Sequence, residues 1–121
     1  MSRPIFIPLI LLITAAAAAF RLPDLAERPM HGDEAVNAVK LGETIEGRGY
    51  EYDPHEYHGP TLNYLTRIPA WLGGVGSFVE LQEAILRVVP VVFGTLLVLL
   101  LLPLGDGLGR VAAVFAALFM A

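Results

Sequence analysis

Two adjacent carboxylates, Asp33 and Glu34, are the side chains of this chain best suited to chemistry. They lie a short distance after an apolar segment, where an acid can act as a general base or bind a metal ion at a membrane surface. The same pair also has a structural interpretation, because Asp is a preferred N-cap residue and Glu is favourable in the first turn of a helix. We therefore expect Asp33 to cap a helix that ends at Gly47 or Gly49. The two interpretations are compatible.

Three histidines accompany these acids: His31, His55 and His58. The run from His55 to His58 is not the zinc-protease motif, because that motif requires histidines four positions apart and position 59 is Gly. The spacing does not specify a metal site made of His31, Asp33 and His58. Metal binding therefore stays open, with interfacial histidines as the alternative.

The composition indicates a membrane protein. Hydrophobic residues make up 55% of the 121 residues, the mean hydropathy is +0.62, and the apolar residues come in blocks. There is no cysteine, which excludes disulfides and thiolate metal sites. The net charge of −4 gives no basic patch for nucleic acid, so we expect no nucleic-acid partner.

Three apolar segments define the predicted organisation: residues 4–20, 84–104 and 111–121. The first is slightly short for a hydrocarbon core of about 30 Å, and a cleaved signal peptide is the alternative to a transmembrane helix. The last is too short to span, so we expect residues 1–121 to be the amino-terminal part of a longer protein, with a truncated third transmembrane helix. The alternative is a small complete protein whose last helix lies in the interface. The predicted fold class is an all-α, polytopic membrane protein.

Residues 21–83 form the predicted loop between the first two spans. It holds eleven carboxylates against five Lys and Arg, a net charge of −6. Arg3 and Arg110 mark the predicted inner side, which makes the loop extracytoplasmic in a multi-pass protein of the cell membrane. Trp71 and the tyrosines of this loop suit the headgroup level, so we expect its short helices to be interfacial.

Two further local predictions concern helix boundaries. Pro60 is expected to open a helix with Leu62, Leu65 and Ile68 on one face, interrupted by Pro69 and by the Gly-Gly pair at 73–74. The glycine-rich segment 104–110 is expected to form a tight turn before the last apolar segment.

These residues resemble the amino-terminal end of GT-C membrane glycosyltransferases, closest to the protein O-mannosyltransferase and aminoarabinose-transferase superfamily. Within it, the likeness is best to a branch associated with lipid-sugar flippase activity. The resemblance covers most of the chain and rests on an ordered series: Gly32-Asp33-Glu34-Ala35, Gly49-Tyr50, Tyr52-Asp53-Pro54, His58-Gly59-Pro60-Thr61-Leu62-x-Tyr64 and Leu86-Arg87. Gly59 stands where the family usually has the first of two prolines.

The resemblance implies a transferase that moves a hexosyl or pentosyl group from a polyprenyl-phosphate donor to a protein, lipid or glycan acceptor outside the cytoplasm. Asp33 would be the catalytic base, with Glu34 as the other member of the catalytic pair. His58, Pro60, Tyr64 and Arg87 would bind substrate. Related oligosaccharyltransferases use the equivalent acid for a divalent metal, whereas the mannosyltransferase-like branch generally does not, so the resemblance leaves a divalent metal open and assigns no ligands to it.

A non-enzymatic function is the alternative interpretation. The chain would then be a membrane subunit, associated with a flippase or a transporter, whose acidic loop binds a partner. The two hypotheses differ in whether Asp33 does chemistry. If the chain is an enzyme fragment, we expect these 121 residues alone to be inactive.

Overall fold

The structure, a computed structural model, describes residues 1–55 and 59–121. These residues form helices and no strand, as the all-α prediction requires. The helices are α1 (Arg3–Arg21), α2 (Gly32–Ile45), α3 (Pro60–Leu72), a 3₁₀ turn (Phe78–Glu80), α4 (Glu83–Leu99), α5 (Leu101–Leu108) and α6 (Arg110–Met120). The chain divides into two compact units. We call Met1–Pro23 with Pro90–Ala121 the apolar unit, and Asp24–Val89 the acidic unit.

Two helical segments are long and apolar enough to cross a membrane, namely Arg3–Arg21 and Glu83–Leu108. They coincide with the predicted spans at 4–20 and 84–104, although the second continues four residues further. The third apolar helix, α6, has 11 residues and is shorter than a span. Length and composition thus favour membrane association for the first two segments.

The apolar unit is held together by a helical stripe on α1. Phe6, Ile10, Ile13 and Ala17 recur at helical spacing and are buried. They belong to one cluster with α4, α5 and α6, whose buried members are Val98, Leu101, Ala113 and Ala117. The alanines on α6 allow close approach between helices.

The predicted glycine-rich turn at 104–110 is wrong, because α5 continues through it to Leu108. Only Gly109 makes the turn, with a φ of 85° that favours glycine. Gly105 serves packing instead: a Cβ at this position would lie 2.2 Å from Cζ of Phe6. The actual interruption lies at Leu100, because Pro103 has no N–H to donate to the carbonyl of Leu99, where α4 ends.

In the acidic unit, glycine ends both longer helices as expected. After α2, Gly47 has a φ of 87° and the N–H of Arg48 donates to the carbonyl of Glu43 at 2.9 Å, which is a Schellman motif. Gly74 closes α3 in the same way. Pro60 opens α3 as predicted, but Pro69 does not interrupt it. Pro69 lies in the last turn, where it removes one hydrogen bond and the helix reaches its glycine cap.

The buried face of α3 differs from the apolar face read from the sequence. Asn63, Thr66 and Ala70 are buried, whereas Ile68 is exposed. The Thr44 hydroxyl, on α2, donates to Oδ1 of Asn63 at 3.1 Å, so a polar contact joins the two helices. Small and polar side chains therefore line the contact between α2 and α3. The apolar core of this unit lies elsewhere, around Ala38, Leu41 and Leu86.

Candidate functional site

The start of α2 carries the predicted catalytic pair, but the N-cap is His31 rather than Asp33. His31 Nδ1 accepts from the Asp33 N–H at 3.5 Å, and Glu34 Oε2 accepts from the His31 N–H at 3.0 Å. This reciprocal arrangement is a capping box with histidine in place of the usual Ser or Thr. Asp33 lies inside the first turn because extended backbone at His31, not at Asp33, precedes the helix.

Glu34 is bound by Arg87 across 53 positions of sequence. Arg87 Nε donates to Oε1 at 2.9 Å and Nη2 donates to Oε2 at 2.7 Å, which is the bidentate geometry that arginine favours with carboxylates. The same guanidinium donates to the backbone carbonyls of Leu25, Arg28 and Pro29. Arg87 thus ties α4 to the segment that leads into α2 and to the first turn of α2.

This network sets the charge of Glu34. Hydrogen bonding to Arg87, followed by the hydrogen bond from the His31 N–H, lowers the pKa of Glu34 from its ordinary value of 4.5 to about 2. A carboxylate with such a low pKa is a weak base at neutral pH. The geometry of Glu34 therefore favours holding the helix start in place over proton transfer.

The Asp33 side chain is in a different situation from that of its neighbour. Asp33 is exposed, and no hydrogen bond or ion pair from the described residues engages its carboxylate. Both backbone groups of Asp33 are hydrogen-bonded: its N–H donates to His31 Nδ1, and its carbonyl accepts from Asn37 Nδ2 at 3.0 Å. A fixed backbone with an unengaged carboxylate can present that carboxylate to a ligand.

The other predicted site residues are not joined to this helix start by the described contacts. Tyr64 lies beside Tyr50, with ring centroids 6.2 Å apart. Pro60 is exposed at the first position of α3. His58 lies outside the described residues. The structure thus brings together Glu34 and Arg87, and places Pro60 and Tyr64 on another helix.

No group of three or more His, Cys, Asp or Glu side chains that would hold a metal ion occurs in residues 1–55 and 59–121. In the capping box, His31 Nδ1 accepts from the N–H of Asp33. The third member of the metal set considered from the sequence, His58, lies outside the described residues, so that set stays a prediction.

The comparisons with protein families, with curated proteins and with solved structures each find no counterpart. Any functional assignment therefore rests on the residues and their geometry.

A polar cluster in the apolar unit was missed at the sequence level. Asp106 on α5 accepts from Arg3 and also from Arg110, whose Nε and Nη2 lie 2.9 and 2.7 Å from Oδ1. The four-residue spacing of Asp106 and Arg110 was a usable signal for their pairing. It was obscured because the segment was interpreted as a turn.

The role of Arg87 was only partly visible from the sequence. The resemblance implies only that Arg87 binds substrate. The side chain is only 14% exposed, and its donors are taken up by Glu34 and three carbonyls. A partner 53 positions away leaves no local pattern from which this bonding can be read.

Proposed function

We propose that this chain is part of a multi-pass membrane glycosyltransferase that transfers a sugar from a polyprenyl-phosphate donor on the extracytoplasmic side. Asp33 is the general base in this proposal. Its carboxylate takes the proton of an acceptor hydroxyl while the oxygen forms a bond to the anomeric carbon and the polyprenyl phosphate leaves. The acceptor is a protein, lipid or glycan hydroxyl.

The observation that carries the proposal is the difference between the two adjacent acids. Glu34 is bound by Arg87 and His31, whereas the Asp33 carboxylate is exposed and is not engaged by any described residue. A general base must reach the proton that it abstracts, which requires a side chain that is not already committed to the protein. Asp33 meets this condition on a helix start that the Glu34 network fixes in place.

The membrane setting supports the choice of substrate. The acidic unit follows α1 along the chain and leads into the segment Glu83–Leu108, so both of its ends continue into helices long and apolar enough to cross a bilayer. A lipid-linked donor holds its phosphate at the headgroup level and its sugar in the water next to it, where the start of α2 would meet the sugar under this proposal.

His58, Pro60 and Tyr64 keep their substrate-binding roles in this proposal. Pro60 and Tyr64 belong to α3, and His58 precedes it in the sequence. The role of Arg87 changes. Its guanidinium is occupied by Glu34 and by backbone carbonyls, which supports a positioning role over direct phosphate binding.

The test is sugar transfer in membranes that contain the full-length protein, measured with a panel of polyprenyl-phosphate sugars. Asp33→Asn removes the base while keeping the size of the side chain. Asp24→Asn is the matched control, because Asp24 is also an exposed acid of this unit and its φ of 60° is tolerated by Asn. We expect transfer to be lost in Asp33→Asn and retained in Asp24→Asn. Equal transfer by both variants would refute the role of Asp33, and absence of wild-type transfer with every donor would favour the partner-binding alternative.

A further inference from the structure

Helix α3 has an apolar face that residues 1–55 and 59–121 leave largely uncovered. Tyr64, Ile68, Trp71 and Leu72 are spaced so that they share one side of the helix, and all four are exposed, Trp71 by 77% and Leu72 by 72%. The buried side, which carries Asn63, is the opposite one. We call these four residues the α3 stripe.

The α3 stripe lies in the one long part of the acidic unit that has no carboxylate. All eleven acids of this unit fall in positions 24–56 and 80–83, and positions 57–79 carry only Arg67 as a Lys or Arg. Helix α2, in contrast, carries Asp33, Glu34 and Glu43. An anionic headgroup layer repels carboxylates and attracts arginine, so α3 matches such a surface and α2 does not.

The chemistry of the stripe also matches a lipid surface. Trp and Tyr prefer the membrane interface, where the ring is in apolar surroundings and the polar edge meets water. Arg67 is exposed between the stripe and the buried face, where its stem can follow the apolar surface while the guanidinium reaches a phosphate. Both ends of the acidic unit continue into helices that are long and apolar enough to cross a bilayer, which keeps this unit close to lipid.

We propose that α3 lies in the plane of the membrane interface, with the α3 stripe inserted into the headgroup and upper acyl region, while α2 stays in water. An interfacial helix of this kind buries its apolar face by about 5–10 Å. This position does not depend on sugar transfer, so it holds or fails separately from the proposed enzymatic function.

Trp71 provides a direct test because it is the only tryptophan in the chain. The full chain is reconstituted into phosphatidylcholine and phosphatidylglycerol vesicles whose lipids carry bromine either near the glycerol or near the end of the acyl chains. We expect Trp71 fluorescence to be shifted to shorter wavelength, protected from acrylamide, and quenched more strongly by the shallow bromines than by the deep ones.

Two variants make the test specific. Ile68→Asp places a carboxylate in the α3 stripe and is expected to abolish the quenching by lipid, whereas Val39→Asp makes the same kind of change at an exposed position of α2 and is expected to leave it unchanged. A further variant carries Trp71→Phe together with Tyr52→Trp, which moves the single tryptophan to an exposed position between Glu51 and Asp53. We expect acrylamide to quench the fluorescence of this tryptophan. Far-ultraviolet circular dichroism checks that each variant retains its helices.

Three results would overturn the proposal. If acrylamide quenches Trp71 and the brominated lipids do not, the α3 stripe lies in water. Trp71 protected from acrylamide without quenching by lipid would show a protein occupant, either a second copy or a partner. Stronger quenching by the deep bromines would show a helix buried in the bilayer interior.

Discussion

The apolar unit and the acidic unit are both helical, but they are held together by different interactions. In the apolar unit, helices meet through buried aliphatic, aromatic and small residues, with Gly105 directly against Phe6. In the acidic unit, a large share of the fixed geometry is polar: a capping box, two Schellman motifs, the Thr44–Asn63 contact and the Arg87 network. Close packing of side chains holds the apolar unit together, and hydrogen bonds fix much of the geometry of the acidic unit.

The difference bears on where chemistry can reside. A unit built from close apolar packing has little unengaged polar surface to offer a substrate. A unit built from polar contacts fixes its backbone by using some carboxylates, such as Glu34, and leaves others, such as Asp33, unengaged. The acidic unit is therefore the place where a general base is expected.

The largest expected effect on stability comes from adding a methyl group in the apolar unit. Gly105→Ala would bring Cβ against the buried ring of Phe6, and we expect the free energy of unfolding in detergent to fall by about 1–3 kcal/mol. Gly107→Ala is the matched control, because it lies in the same helix and a Cβ there meets nothing within 4 Å. Unfolding free energies that are equal in the two variants would mean that close packing does not govern this unit.

A second prediction uses the pH dependence of the acidic unit. The pKa of Glu34 is lower in the folded chain than its ordinary value of 4.5, so its contribution is complete above pH 4.5 and is lost as the pH falls toward about 2. We expect this contribution to be on the order of 1–2 kcal/mol, about half of what the full change in pKa would give, because the carboxylate is partly exposed to solvent.

The measurement for Glu34 is a comparison of wild type with Glu34→Gln at a series of pH values. This unit holds eleven carboxylates, and the difference between the two proteins isolates the contribution of Glu34. That difference should be largest at neutral pH and shrink on acidification. A difference that is constant from pH 7 to the acid range would contradict the ionic role of Glu34.

The third prediction concerns the buried contact between α2 and α3. Thr44→Val keeps the shape of the side chain but removes a hydroxyl whose single proton lies between two acceptors, the Lys40 carbonyl at 2.8 Å and Asn63 Oδ1 at 3.1 Å. We therefore expect a loss of about 1 kcal/mol in the free energy of unfolding. Nδ2 of Asn63 already has no hydrogen-bond partner among the described residues. Adding Asn63→Leu to Thr44→Val should recover much of the loss, because both polar groups are then gone. A double variant as unstable as the sum of the two single ones would argue against this coupling.

Much of the helical organisation follows from the sequence. The first apolar segment, predicted at 4–20, is α1 at Arg3–Arg21, and Pro60 and Gly47 begin and end helices as their backbone preferences require. These features are local, because one residue type determines the outcome. The glycines at 105 and 107 do not end a helix, because both lie inside α5. At Gly105 the ring of Phe6 leaves no room for a side chain, whereas a Cβ at Gly107 would meet nothing within 4 Å.

The candidate site was only partly predictable. Asp33 and Glu34 stand out as adjacent acids at a helix start, but their separate environments depend on Arg87, far along the chain. The N-cap was misassigned because Asp is the better cap by statistics, whereas the extended residue here is His31. Statistics of single residues do not reveal which of two neighbouring acids a distant arginine will bind.

The most direct test of the account compares Asp33→Asn and Glu34→Gln in the full-length protein, with sugar transfer and unfolding measured on the same preparations. For Asp33→Asn, loss of the base should lower transfer by about 10²–10⁴-fold, while the free energy of unfolding stays within about 0.5 kcal/mol of wild type. For Glu34→Gln, the free energy of unfolding should fall. Wild-type transfer by Asp33→Asn in a protein of unchanged stability would contradict the central claim that Asp33 is the catalytic base.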